Sequence, residues 1–281
     1  MNEINIKSKN NIIEQDTVLS ILNFQDGLCC NLWNEETNFF ESLIYKNSFR
    51  GNLTAELEKT LFDNNLLRVA FKKTNVVIAT NKATIVPRSI FSEDKIEQIY
   101  TSNFIFDSNV EKILYSELPK TKNIILYSIK KELYDFYLEK FSNCKFYSSS
   151  YSFIENSYIM NKISENRENS KIFLQVYQDY FEVLVIFKER ILLFNTYKYK
   201  TDNDILYYII NIFEQLNLPQ EEAEICISGI IEKTNMAIIM LKKFVKFVYF
   251  TPINNLFRYN YQFLDLQPHY FYYFLNLIKC E

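Results

Sequence analysis

Glycine is nearly missing from this chain, with three in 281 residues. Loops that cradle phosphate need glycine, because a residue without a Cβ lets backbone amides close on the anion. The sequence therefore has little material for a glycine-lined phosphate loop. Histidine is rarer still: His269 stands alone, so a Cys/His zinc cluster has no second imidazole to draw on. The five cysteines (Cys29, Cys30, Cys144, Cys226 and Cys280) are odd in number and irregular in spacing. That is not a disulfide framework, and they read as small apolar residues, buried or half-buried. Charge of either sign is not in large excess, at net −3 with a pI of about 5.5. No global field draws the chain to nucleic acid or to an acidic membrane. The longest apolar run, Tyr270 to Ile278 with one Asn, is too short to span a bilayer. The opening MNEINIKSKNN lacks the apolar core of a signal peptide. The expectation is a cytoplasmic protein with no membrane span and no nucleic-acid partner.

What the chain does have is aromatic and β-branched residues in short, ordered runs. Aromatics make up 17% of it, but they come with abundant Ile, Asn and Lys and without the basic groove that base stacking uses. Ile172–Tyr177, Phe181–Phe187 and Ile191–Tyr197 read as strands. Their connections, Gln178-Asp179 and Lys188-Glu189-Arg190, are short enough for antiparallel hairpins. Both faces of these strands are apolar, so the sheet must be covered on both sides. After Lys200 the period changes. Ile205, Tyr208, Ile209, Ile212 and Leu216 share one helix face, with Thr201 as N-cap and Asp204 at the third helical position in a capping box. Pro219 closes the helix, and Ile225 to Gly229 forms the next strand.

The same order occurs earlier. Strands at Val18–Phe24, Leu28–Trp33 and Asn38–Tyr45, with a hairpin signal at Asp26-Gly27, precede a helix over 53–67 capped by Asn52 and a strand at Val76–Ala79. From cap to following strand is 24 positions in each half, Asn52 to Val76 and Thr201 to Ile225. Matching order and spacing with unlike residues points to structural duplication. Between the units lie helices near Ser92–Tyr100, Lys131–Phe141 and Tyr151–Ile163, with strands at Lys112–Glu117, Ile124–Ile129 and Cys144–Tyr147. The expected organisation is a polar tail at 1–14, a first subdomain at 15–163, a linker at 164–170 (SENRENS) and a second subdomain at 171–281. Nothing in that linker looks able to anchor to a core. The last part is expected to hold a helix at Thr234–Lys243, strands at Phe244–Phe250 and Tyr259–Leu264, and a terminal helix with Pro268 in its first turn.

Two β-β-β-α-β units are the plan of the actin-like ATPase superfamily, an α/β fold with mixed sheets. More specifically, the chain resembles the bacterial family called domain of unknown function 3822, over nearly its full length. The resemblance rests on Ile85-Val86-Pro87-Arg88-Ser89-Ile90-Phe91 and on Leu193-Phe194-Asn195-Thr196-Tyr197-Lys198-Tyr199 running into Thr201–Tyr208. Ser228-Gly229 and Pro268-His269-Tyr270 complete it. It implies an actin-like fold and no assigned activity.

In that superfamily two hairpin turns hold the phosphates, each supplying an Asp for a Mg²⁺-water shell and glycines for the oxygens. Here the corresponding turns are Gln25-Asp26-Gly27-Leu28 and Gln178-Asp179-Tyr180-Phe181, and the adenosine loop corresponds to Ser228-Gly229-Ile230. Asp26, Gly27, Asp179 and Gly229 are thus the nucleotide-binding candidates. Asp-Gly is also the commonest hairpin turn, and Tyr180 and Phe181 would crowd a triphosphate. His269 is read as a capping or packing residue, and Asp202 and Asp204 as helix caps. Lys242, Lys243 and Lys246 read as a solvated edge. No catalytic or metal residue and no cofactor is expected, and the partner is expected to be another protein. The alternative is an ATP/Mg-binding member with weak or no hydrolysis.

Overall fold

The computed structural model describes residues 3–7, 16–166 and 168–280. The chain begins with β1 (Ile4–Ile6), β2 (Thr17–Phe24), β3 (Gly27–Asn34) and β4 (Phe39–Lys46), then α1 (Leu53–Asp63) and β5 (Lys73–Ile78). β6 (Ala83–Pro87), α2 (Ile96–Thr101), β7 (Glu111–Leu118) and β8 (Asn123–Lys130) follow as an inserted unit with its own three-stranded sheet. α3 (Lys131–Lys140) and β9 (Cys144–Ser148) return the chain to the first sheet, and α4 (Ser149–Ile163) leads out of it. The second half runs β10 (Lys171–Val176), β11 (Tyr180–Phe187), β12 (Arg190–Lys198), α5 (Asp202–Gln215) and β13 (Glu224–Gly229). It continues with α6 (Met236–Phe244), β14 (Phe247–Phe250), β15 (Arg258–Tyr259) and α7 (Tyr272–Leu275).

The two main sheets repeat one plan. The first contains the order β4-β3-β2-β5-β9, the second β12-β11-β10-β13-β14. In each, three antiparallel strands are followed by two parallel ones. Parallel neighbours need a crossover, and α1 and α5 supply it after the third strand of each unit. The fold is therefore an actin-like α/β duplication.

Local chemistry sets the crossovers. Ile205, Ile209 and Ile212 of α5 are buried at helical spacing. Its capping box is formed, and the Asp204 carboxylate accepts from the Lys200 and Thr201 amides at 2.8 and 2.9 Å. α1 is capped by the Asn52 side chain, which accepts from the Ala55 amide at 3.0 Å. α1 stops at Asp63, short of the expected 67, where Asn65 takes a left-handed φ of 60°. Asn tolerates that region through its short polar side chain.

Four expectations are corrected. Within the expected polar tail, Ile4–Ile6 pairs with Leu43–Tyr45 of β4, because Ile6 covers the core; residues 1–2 and 8–15 lie outside the described residues. The strand expected at Tyr259–Leu264 is only Arg258–Tyr259, and a 3-10 turn at Tyr261–Asp265 follows Asn260, whose side chain accepts from Gln262. β15 also joins β4 of the first sheet, so the C-terminal stretch crosses back from the second half. The terminal helix starts at Tyr272, leaving Pro268 in the turn before it. Finally, the stretch 164–170 is anchored, although its Arg167 lies outside the described residues. Lys171, 1% exposed, pairs with Glu224 at 3.1 Å and donates to the Ser164 hydroxyl, while Asn166 donates to Glu224 at 3.1 Å.

α4 is the most buried helix of the molecule's middle. Eleven of its 15 residues are buried, many of them polar. Each of several polar side chains reaches a different part of the chain. Ser150 donates to Glu182 on β11, and Asn161 donates to the Lys188 carbonyl at 2.6 Å. Glu155 accepts from the Lys120 and Thr121 amides of the inserted sheet at 2.9 and 3.3 Å. Ser152 donates to the Tyr273 carbonyl, and Asn156 to the Asn276 carbonyl at 3.3 Å.

Glu182 is fully buried, and desolvation raises its pKa from 4.5 to about 8 against hydrogen bonds from Ser150 and Tyr177. The folded state keeps a proton that the unfolded chain releases above its lower pKa. That stability is fully present below pH 4.5 and is lost as pH rises towards 8, by up to ~1.4 kcal/mol per pH unit. Urea unfolding between these limits should show the native protein losing stability relative to Glu182→Gln as pH rises. Parallel curves would mean that Glu182 is ionised in the fold. For the ion pair, Lys171→Met should cost ~3–5 kcal/mol by leaving Glu224 buried without its cation, and Lys171→Met/Glu224→Leu should recover most of it. Equal losses in the single and double variants would contradict this.

Candidate functional site

The two central hairpin turns of the duplication face one cleft. Phe24-Gln25-Asp26-Gly27 joins β2 to β3, and Tyr177-Gln178-Asp179-Tyr180 joins β10 to β11. Their backbones match: the Asp26 carbonyl accepts from the Phe49 amide at 2.8 Å, and the Asp179 carbonyl from the Tyr199 amide at 3.1 Å. The cleft between them has a volume of about 560 Å³. Asp26 and Asp179 both line it, together with Phe24, Tyr45, Tyr177 and Tyr180. The inserted unit adds Lys82, Glu111 and Lys130 to one side.

The glycines have other tasks. Gly27 is the first residue of β3, paired with Phe24, so the turn itself is Gln25-Asp26 rather than Asp26-Gly27. A Cβ there would sit 2.3 Å from the Lys46 carbonyl oxygen, where the chain leaving β4 crosses the hairpin. Gly229 has φ +93°, and a Cβ on it would lie 2.1 Å from the Val176 carbonyl oxygen. Its amide donates to the His269 carbonyl at 2.8 Å, and the Ile230 amide to Val176 at 2.8 Å. Both glycines thus serve close backbone approaches within the protein, and neither is on the cleft wall.

The position matching Gly27 in the second half is Tyr180. Its ring stacks on Tyr177 with centroids 4.5 Å apart. Burial raises both phenols well above their ordinary pKa, helped by Glu182 at Tyr177 and by Tyr177 and then Glu182 at Tyr180. Tyr45 is likewise pushed up to about 12 by burial, then by Cys29 and Asp26. The electrostatics of the wall are lopsided. Among the described residues neither Asp26 nor Asp179 has an ion-pair partner, whereas Lys82 is held by Glu111 at 3.1 Å and by the Ile105 carbonyl at 3.0 Å. Lys130 is exposed.

Of the four candidates named from the sequence, Asp26 and Asp179 lie on the cleft wall; Tyr177, Lys82, Glu111 and, behind the wall, Glu182 were not among them. Glu182 carried a signal, as the lone carboxylate in the apolar strand YFEVLVIF. Lys82 and Glu111 carried none, because the inserted sheet brings them together across 29 positions. His269 is away from the cleft: its buried Nε2 lies 2.9 Å from the Ile231 carbonyl, and its ring packs on Phe250 at 4.4 Å. Since a carbonyl only accepts, Nε2 carries the proton, and burial lowers the pKa. Asp202 and Asp204 sit in the first turn of α5, and Lys242 and Lys243 in the last turn of α6, each favourable to its helix dipole.

The fold family implies Mg²⁺ and ATP, and the cleft residues do not fit them. A polyphosphate would meet a carboxylate at each turn; Gly27, the one glycine at either turn, is packed against the Lys46 backbone, and the Tyr177–Tyr180 stack occupies the second turn. Among the described residues no three His, Cys, Asp or Glu side chains form a metal-ligating group. None of the described helices is long and apolar enough to cross a membrane.

Comparison with solved structures agrees with the fold. A protein of Bacteroides thetaiotaomicron VPI-5482, with actin-like ATPase fold and unknown function, superposes with a TM-score of 0.81 at 23% identity, covering 97% of this chain and 100% of that one. The PilM-PilN type IV pilus biogenesis complex superposes at 0.61 with 9% identity, covering 94% of this chain and 98% of that one. No curated protein matches in sequence. The model of one family matches residues 7–248, and the chain belongs to that family, Protein of unknown function (DUF3822).

Proposed function

We propose that this protein is a non-catalytic actin-like binding module that works in the cytoplasm through another protein. The observation that carries the reading is the second turn, where Tyr180 stands in place of the glycine and stacks on Tyr177 at 4.5 Å. Actin-like ATPases hold phosphate through backbone amides at both turns, and here one turn is closed by two rings. A fold kept intact around a closed phosphate turn suits a rigid platform better than an ATP-driven hinge. The fold is compatible with protein partners, since its neighbour PilM was solved in complex with PilN. The cytoplasmic placement is supported by the five cysteines, none of them in a disulfide and four of them buried, which suit a reducing compartment.

A second reading is nucleotide binding with weak or no hydrolysis. The cleft of about 560 Å³ and the two aspartates on its wall favour it. The energetics favour the first reading. Each unmade charge-assisted bond forfeits ~1.5–3 kcal/mol, and losing several moves a micromolar site beyond millimolar.

Millimolar MgATP should therefore leave the melting temperature unchanged, and no phosphate release should be detected. A stabilisation near ~2.7 kcal/mol would place the ligand at about a hundredfold its dissociation constant. Such a shift, abolished by Asp26→Ala, would overturn the non-catalytic module and install the nucleotide-binding reading.

A further inference from the structure

The cleft is open, of small-molecule size and lined by the wrong charges for a polyphosphate, which leaves the question of what its lining would hold. Its volume, about 560 Å³, lies in the usual range for small-ligand sites. It carries one carboxylate from each half, Asp26 and Asp179, and neither has an ion-pair partner among the described residues. The wall's own cations compensate only in part, leaving Lys130 as its one lysine without an ion-pair partner among the described residues against two such carboxylates. Lys82 is neutralised by Glu111, and Lys130 is exposed next to Lys131 and Glu132. The wall also carries four rings, Phe24 and Tyr45 from the first half and Tyr177 and Tyr180 from the second, among polar and aliphatic side chains.

Carboxylates and aromatic rings share one preference. Both attract a positively charged group, the carboxylate by charge-assisted hydrogen bonds and the ring by its negative face. Two carboxylates on opposite halves suit a ligand with two cationic ends. The apolar wall between them, which includes Leu53 and Ile78, suits an aliphatic body. We propose that the cleft binds an extended organic cation of the diamine or polyamine class, bridging Asp26 on one half and Asp179 on the other. This rests on the reading that the cleft does not serve a nucleotide, and it adds the ligand class. A bare divalent cation is a poorer occupant, because two carboxylates are the only free acidic ligands that the turns provide.

Titration calorimetry with spermidine, and separately with MgATP, tests this on the full chain at low ionic strength. Spermidine should bind saturably with one molecule per chain and weaken as salt is added. Asp26→Asn and Asp179→Asn should each raise the dissociation constant at least about tenfold, while Asp63→Asn, an exposed carboxylate at the end of α1, should leave it unchanged. Unchanged melting temperatures would establish that the variants fold. Absence of saturable spermidine heat, with MgATP also silent, overturns the cation inference and leaves the binding-module reading standing. Equal affinity in the double variant Asp26→Asn/Asp179→Asn overturns it too, since binding would then lie elsewhere. MgATP binding that depends on Asp26 overturns both.

Discussion

The molecule depends on α4, a buried helix whose hydrogen-bonding side chains reach the second sheet, the inserted sheet and the C-terminal stretch. It leaves the first sheet directly from β9 and packs on β11, α7 and β7. A helix buried nearly all round is usually apolar. This one carries Ser149, Ser150, Ser152, Glu155, Asn156, Ser157 and Asn161 in its buried set, and such groups are costly unless paired. Ser150, Glu155 and Asn161 find partners in β11, the inserted sheet and the turn after β11. Those bonds have direction, so they fix how the two halves sit more strictly than apolar packing would.

The cleft inherits its shape from that fixation. Glu182, its carboxyl pushed up to about 8 by burial, accepts from Ser150 and from Tyr177 at 3.3 Å. The α4 anchor therefore touches the ring that closes the second turn. Tyr180 then stacks on Tyr177, so two rings stand at the second turn where the first has Phe24 and Gly27. At the matching place in the first half, Gly27 survives because the chain after β4 passes within reach of any Cβ there. The same fold position is thus a glycine in one half for packing reasons and a tyrosine in the other.

Much of this was legible in the sequence. The duplication showed because strand and helix periods alternate in the same order twice, and α5 showed its buried face and its Thr201–Asp204 box. The inter-half contacts did not show. Polar α4 looks like a surface helix until Glu182, Tyr273 and Asn276 are placed around it, and those partners are 32 to 121 positions away. The segment before Lys171 looked like a free linker because its polar residues had no visible partner; the partner is the Lys171–Glu224 pair, 53 positions apart. Pro268 suggested a helix start, but the chain first turns to bury His269 against Phe250. The two cleft aspartates were named because their hairpin turns correspond to those of the actin-like plan, which short local motifs reveal, while the rings and the Lys82–Glu111 pair depend on tertiary packing.

Native-state hydrogen exchange of the α4 amides tests the central claim most directly. If α4 is the hydrogen-bonded centre that both halves share, its inner amides should exchange only through global unfolding, with the same free energy as the central strands β2 and β10. Exchange of α4 at a clearly lower free energy than either sheet would contradict the account, because the two halves would then hold together without it.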